Sequence, residues 1–213
     1  MNCLYRIPLF VFNRLCPSKI HGKENIPEGK AVIVCNHIHA MDCGYIAKIY
    51  NKDIYFLAKK ELFKKKFVTK LLKSLGGLPI DRDNPDMKSL MTAIKVLKDG
   101  HKLVIFPEGT RNKTGTTELQ PIKGGAMVFA VKAKSPIVPI MIDRKLRMFR
   151  RSHVIVGKPF ELTEFYDRKL GDEDMEAMNN IVADKMREQQ AILKEMLAQK
   201  KKKKGKKNED IKG

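Results

Sequence analysis

The segment Asn36-His37-Ile38-His39-Ala40-Met41-Asp42 sets an imidazole five residues before a carboxylate, directly after the apolar run Ala31-Val32-Ile33-Val34-Cys35. A carboxylate bonded to one ring nitrogen fixes the tautomer of a histidine and stabilises the imidazolium formed when the other nitrogen takes a proton. Residues five apart can meet where a strand turns into a helix. His37 is therefore a candidate general base for a hydroxyl proton, with Asp42 as its orienting partner. The same pair also reads as a structural hydrogen bond at a strand end, and both readings stand on this segment alone.

Two further turns carry chemistry. Gly76-Gly77-Leu78-Pro79-Ile80-Asp81-Arg82 and Phe106-Pro107-Glu108-Gly109-Thr110-Arg111 each follow an extended segment and end in an arginine. A guanidinium binds two phosphate oxygens at once with a permanent charge. A single arginine is ordinarily a solvated surface charge. Two at one end of neighbouring strands, beside a His-Asp pair, point to a bound phosphate, because ligands of open α/β sheets gather at those ends.

Other chemistry fits less well. His37-Ile38-His39 with Asp42 resembles a binuclear zinc signature, but the aspartate is one residue too distant and Cys43 stands where a histidine is needed. Only His21, His101 and His153 remain to complete such a site, so no metal is expected. Cys35 and Cys43 flank the pair, but thiols in apolar runs are ordinarily packing residues.

The elements that must position these groups follow from periodicity. Ala31–Cys35, 53–57, Lys102–Phe106, Ile137–Ile142 and His153–Val156 read as strands, with Leu78–Asp81 a short extended segment. Glu61–Ser74, 86–97 and 123–134 read as helices, the first stopped by Gly76-Gly77 and the second by Asp99-Gly100. Asp172–Gln199 is a long helix with Met175, Met178, Val182, Met186, Leu193, Met196 and Leu197 on one side. The alternation predicts a single α/β domain: a mixed, mostly parallel sheet flanked by helices, with an amphipathic N-terminal helix and a long C-terminal one. The expected divisions are 1–19 (surface helix), 20–171 (core), 172–199 (helix) and 200–213 (a disordered lysine-rich tail).

Together, Asn-His-x4-Asp, Gly-x-x-Pro-Ile-Asp-Arg, Phe-Pro-Glu-Gly-Thr-Arg and Ile137-Val138-Pro139-Ile140 occur in an order that resembles the glycerol-phosphate and lysophosphatidate acyltransferases. His21-Gly22-Lys23-Glu24-Asn25-Ile26-Pro27 and Ala58-Lys59-Lys60-Glu61-Leu62 extend the resemblance to residues 20–159. The chain has His39 where many members carry Ser. The resemblance implies transfer of a fatty acyl group from acyl-CoA or acyl-carrier protein to the 2-hydroxyl of 1-acyl-glycerol 3-phosphate, giving phosphatidic acid. The alternative acceptors are glycerol-3-phosphate or another lysophospholipid. It makes His37 the base and Asp42 its partner. Arg82, Glu108, Gly109, Thr110 and Arg111 would lie around the acceptor, with Lys59 a further phosphate candidate. Pro139 and Ile140 would shape the acyl side, and no cofactor is implied beyond the thioester co-substrate.

Composition bounds the partners. The chain has 213 residues, 43% hydrophobic, enough for one core. Of its net charge of +19, +6 sits in Lys200–Gly213 (eight lysines against Glu209 and Asp210), which leaves +13 on the body. Such a field attracts anions. Nucleic acid is the non-enzymatic alternative, but with 7% aromatic residues and no Trp a base-stacking platform is poorly supplied. An anionic membrane surface fits better: the N-terminal Leu4–Leu15 stretch mixes aromatics with arginines, as interfacial helices do, and it reads equally as a helix packed on the domain. No run approaches the length needed to span a bilayer. Four cysteines without paired spacing suit a reducing compartment, so the expected location is the cytoplasmic face of a membrane, held peripherally.

Overall fold

The computed structural model describes residues 6–50, 54–81, 87–114, 116–122, 125 and 127–209. Seven strands form one sheet: β1 (Ser18–His21), β2 (Ala31–Cys35), β3 (Ile54–Lys59), β4 (Gly77–Ile80), β5 (Lys102–Ile105), β6 (Ile137–Ile142) and β7 (Ser152–Val156). Their order is β1-β7-β6-β2-β5-β3-β4. Every neighbouring pair is parallel except β6 with β7, so β1 and β7 run opposite to the other five. Among the described residues the α-helices are α1 (Arg6–Leu15), α2 (Asp42–Tyr50), α3 (Lys66–Ser74), α4 (Met87–Lys98), α5 (Val128–Ala133) and α6 (Asp172–Glu209).

β2 and β6 are buried along their whole length because helices cover both faces of the sheet. Alternate residues therefore enter two separate cores. Val32, Val34, Leu103, Ile105, Ile137 and Met141 pack with α4, α5 and α6. Ile33, Cys35, Val104, Val138 and Ile140 pack with α1 and α2. On α6, Met178, Val182, Met186 and Leu193 are buried and Met175, Met196 and Leu197 pack against them, so the expected apolar side is the docked side.

Four elements differ from expectation; one is the helix read over 123–134, whose described helical part is only α5, with Gly125 and Met127 in turns. β1 was not foreseen: it falls across the expected division at residue 19 and pairs with β7 in register Ile20↔Val154. The expected helix over Glu61–Ser74 divides into a 3-10 turn (Lys60–Phe63) and α3. The Thr69 hydroxyl donates to Phe63 O at 2.7 Å and Lys65 O at 3.1 Å, satisfying carbonyls at that break. α6 runs ten residues past Gln199 and keeps the backbone helical through the lysines, which are good helix formers and favourable at a helix C-terminus.

Gly76 closes α3 with φ 81°, and a Cβ there would stand 2.3 Å from Ile54 O. Only glycine fits this return into the sheet. The carboxyl ends of β2, β3, β4, β5 and β6 consequently lie along one edge, and that edge carries the candidate chemistry.

Candidate active site

β2 delivers the chain to this edge, where Asn36 anchors it. The buried Asn36 amide donates to Ile142 O at 3.1 Å and accepts from Ile142 N at 2.8 Å, so the side chain continues the pairing of β2 with β6 by one more rung. Truncating it would leave two buried backbone groups unpaired, at about 1–3 kcal/mol each. The exit direction of His37 is fixed from below.

His37 is then held at its main chain from both sides. Its N–H donates to Glu108 Oε1 at 2.6 Å, and its carbonyl accepts from Asn112 N at 2.7 Å. Its ring stacks on Phe106 at 4.1 Å between centroids and 21° between planes. Nδ1 lies 3.0 Å from Asp42 Oδ2. An ionised carboxylate only accepts, so Nδ1 carries the hydrogen and Nε2 has the free lone pair. The imidazole side chain is 16% exposed while Asp42 is fully buried. One nitrogen is locked inward and the ring still reaches the surface.

Asp42 opens α2 and caps its own approach. Oδ2 also accepts from Ile38 N and His39 N, both at 2.7 Å, while Oδ1 is buried with no hydrogen-bond partner among the described residues. These two backbone donors and the His37 ring hold Oδ2 at the start of α2. The strand, turn and helix thus bring His37 and Asp42 together as their spacing predicts.

The loop after β5 supplies the second wall. Gly109 takes φ 71° and its N–H bonds to Phe106 O at 3.1 Å, which turns the chain sharply after Glu108. Glu108 is 1% exposed. Its Oε1 holds His37 N and its Oε2 accepts from Gln120 N at 3.1 Å, so the carboxylate lies beneath the surface with both oxygens bonded to backbone. Burial pushes its pKa up, opposed by those two amide bonds. Asn112 closes the loop: Oδ1 accepts from Thr114 N at 2.9 Å and Nδ2 donates to Glu118 O at 2.9 Å. With Glu108 and Asn112 both tied to the His37 main chain, the Gly109-Thr110-Arg111 stretch between them is anchored at both ends to that residue, with Thr110 and Arg111 exposed.

Lys59 is exposed at the carboxyl end of β3, 3.8 Å from Glu61. Arg82 lies outside the described residues, two positions beyond the end of β4. Pro139 and Ile140 are buried within β6, in register with Val34 and Cys35. They back the strand that carries His37. Asn36, Phe106, Asn112 and Gln120 were not singled out from sequence. The first two adjoin recognised residues, but nothing local shows that they grip β6 or stack on the imidazole.

Burial pushes the Cys35 thiol well up, and that of Cys43 up to about 11, so both are protonated at neutral pH. Among the described residues, no group of three or more His, Cys, Asp or Glu side chains is arranged to hold a metal ion. Among the same residues, no helix is long and apolar enough to cross a membrane.

The chain is similar in sequence and fold to known proteins. The family model described as Acyltransferase matches residues 17–143. The chain is 36% identical over 154 residues to the 1-acyl-sn-glycerol-3-phosphate acyltransferase of Bacillus subtilis, covering 69% of this chain and 75% of that one. It is 30% identical over 169 residues to the protein of the same name from Streptococcus pneumoniae, covering 75% of this chain and 61% of the other. The crystal structure of the 1-acyl-sn-glycerophosphate acyltransferase from Thermotoga maritima superposes with a TM-score of 0.60 at 26% identity, over 80% of this chain and 71% of that one. The matched segment runs from just before β1 to just past β6 and takes in the His37–Asp42 pair and the loop clamped to it: the chain belongs to the acyltransferase family.

Proposed function

We propose that the protein transfers a fatty acyl group from acyl-CoA or acyl-carrier protein to the 2-hydroxyl of 1-acyl-glycerol 3-phosphate, giving phosphatidic acid. The observation that carries this reading is the 3.0 Å contact of His37 Nδ1 with Asp42, which leaves Nε2 as the nitrogen able to accept a proton. The names of the relatives supply the acceptor.

In this reading the acceptor hydroxyl gives its proton to Nε2 as its oxygen forms a bond to the thioester carbonyl carbon. The carbon–sulfur bond then breaks, and the imidazolium returns the proton to the departing thiolate. Asp42 stabilises the imidazolium between these steps. No acyl-enzyme forms. Arg111 and Arg82, with Lys59, Gly109 and Thr110, hold the acceptor's phosphate. Glu108 acts through the His37 backbone as a positioning residue. Pro139 and Ile140 shape the acyl side by setting the position of β2.

The membrane part of the reading is peripheral attachment at the cytoplasmic face. α1 supports it, because Phe12 is buried edge-on against Tyr45 at 5.4 Å between ring centroids while Phe10 and Val11 remain exposed. The basic charge adds attraction to anionic lipid and to a phosphorylated acceptor.

The test is thiol release from an acyl thioester by purified protein with 1-acyl-glycerol 3-phosphate or glycerol-3-phosphate as acceptor. Release stimulated by the 1-acyl compound, with phosphatidic acid as product, is the expected result. Stimulation by glycerol-3-phosphate alone would overturn the choice of acceptor.

A further inference from the structure

α3 is the one helix of the crossover from β3 to β4, and no residue in it is buried. Phe67 is 80% exposed and Leu71, one turn later, 39%. Leu62 in the preceding 3-10 turn is 54% exposed. Val68 and Leu72, on the adjoining side, are half-buried, Leu72 next to Gly77 of β4. At about 100° per residue, Phe67 and Leu71 fall about 40° apart on the wheel, so they make a stripe that the described residues leave uncovered.

The charges beside this stripe have one sign. Lys64, Lys65, Lys66, Lys70 and Lys73 follow without an intervening acid, and none has an ion-pair partner among the described residues. Lys66, Lys70 and Lys73 share the face of α3 next to Phe67 and opposite the half-buried side. Large apolar groups bordered by lysines match a bilayer interface, where the rings and methyls enter the acyl boundary and the ammonium groups stay with the phosphates. Charge complementarity selects anionic lipid.

We propose that the 3-10 turn and α3 form a membrane-docking surface for anionic lipid bilayers, in addition to α1. The turn leaves the carboxyl end of β3, on the same sheet edge as His37, so docking there would present that edge to the lipid surface. This consequence rests on the lipid-acceptor reading; the docking itself does not.

The test uses the full chain, with Phe67→Gln/Leu71→Gln and, separately, Lys64→Gln/Lys65→Gln/Lys70→Gln, in sedimentation with phosphatidylcholine vesicles with and without phosphatidylglycerol. Both variants alter exposed side chains and should retain the wild-type melting temperature. The apolar variant is expected to bind phosphatidylglycerol vesicles at least about tenfold more weakly. The lysine variant should lose binding severalfold per charge and show a flatter salt dependence. Turnover of detergent-dispersed acceptor should stay at the wild-type level in both. Wild-type vesicle affinity in the apolar variant would overturn the proposal. So would undiminished vesicle binding with lost binding of an acidic acyl-carrier protein, which would make this a carrier-docking surface. A wild-type protein that binds vesicles through α3 but transfers no acyl group would instead refute the enzymatic reading and leave the docking intact.

Discussion

Glu108 holds His37 by its backbone: Oε1 accepts the His37 N–H at 2.6 Å, while the other oxygen accepts from Gln120. This relationship separates two roles for the glutamate that the motif alone leaves merged. A carboxylate contacting the acceptor affects its affinity. One that positions the base affects the chemical step. Glu108→Ala is therefore expected to lower kcat about 10- to 100-fold while the acceptor KM changes by less than about threefold. A large rise in KM at unchanged kcat would assign Glu108 to acceptor binding.

In the proposed mechanism Asp42 fixes the hydrogen on Nδ1 and stabilises the charge that His37 acquires. In Asp42→Asn the amide oxygen can still accept from the Ile38 and His39 amides, but the negative charge is gone. Turnover should fall about a hundredfold to ten-thousandfold in a folded protein. Circular dichroism alongside the assay checks the fold, and activity near wild type would remove Asp42 from the mechanism.

The thiols test whether transfer is direct. Cys43→Ala and Cys35→Ala are each expected to keep wild-type kcat within about threefold, because burial keeps both thiols protonated and the proposed mechanism passes through no acyl-enzyme. Cys35→Ala also removes a buried side chain and should lower the melting temperature. Loss of turnover in either variant with His37 intact, or an acyl group found on the cysteine by mass spectrometry, would contradict direct attack.

Away from the site, a histidine pair joins the edge strand to the sheet. His21 Nε2 and His153 Nδ1 are 3.0 Å apart, with the rings stacked at 5.3 Å. Only one of these nitrogens can donate, so protonating both sets two N–H groups against each other. Burial, with Lys200 and Lys19 also opposing, lowers both pKa values from 6.5, and the nearby Asp143 compensates only partly. The folded state thus binds these protons less readily than the unfolded chain. Their contribution is fully present above about pH 6.5 and is lost as the pH falls through the lowered folded values. Melting temperature should decline below that pH in wild type, and decline less in His21→Asn/His153→Asn. Equal slopes in the two proteins would show that the pair is not responsible.

What could be read in the chain follows from how local each cause is. The bounds of β2 and β6 were legible because strands buried on both faces are continuous apolar runs. The docked side of α6 was legible from its helical period. His37 and Asp42 were legible because one turn joins them. β1 was not: Ser18–His21 holds a single aliphatic residue, and its partner strand is more than a hundred residues away in sequence. The roles of Asn36 and Phe106 were hidden for the same reason, since each acts on a group from another strand or loop. Glu108 could be recognised as part of a motif, but its direction, inward to the His37 amide, is a property of the Gly109 turn.

The central claim is that His37 Nε2 deprotonates the acceptor. The most direct measurement is acceptor-dependent thiol release by His37→Ala beside wild type, with folding checked by melting temperature. A fall of about a thousandfold or more in a folded variant is predicted. A folded His37→Ala protein that releases thiol at the wild-type rate on adding acceptor would contradict the mechanism outright.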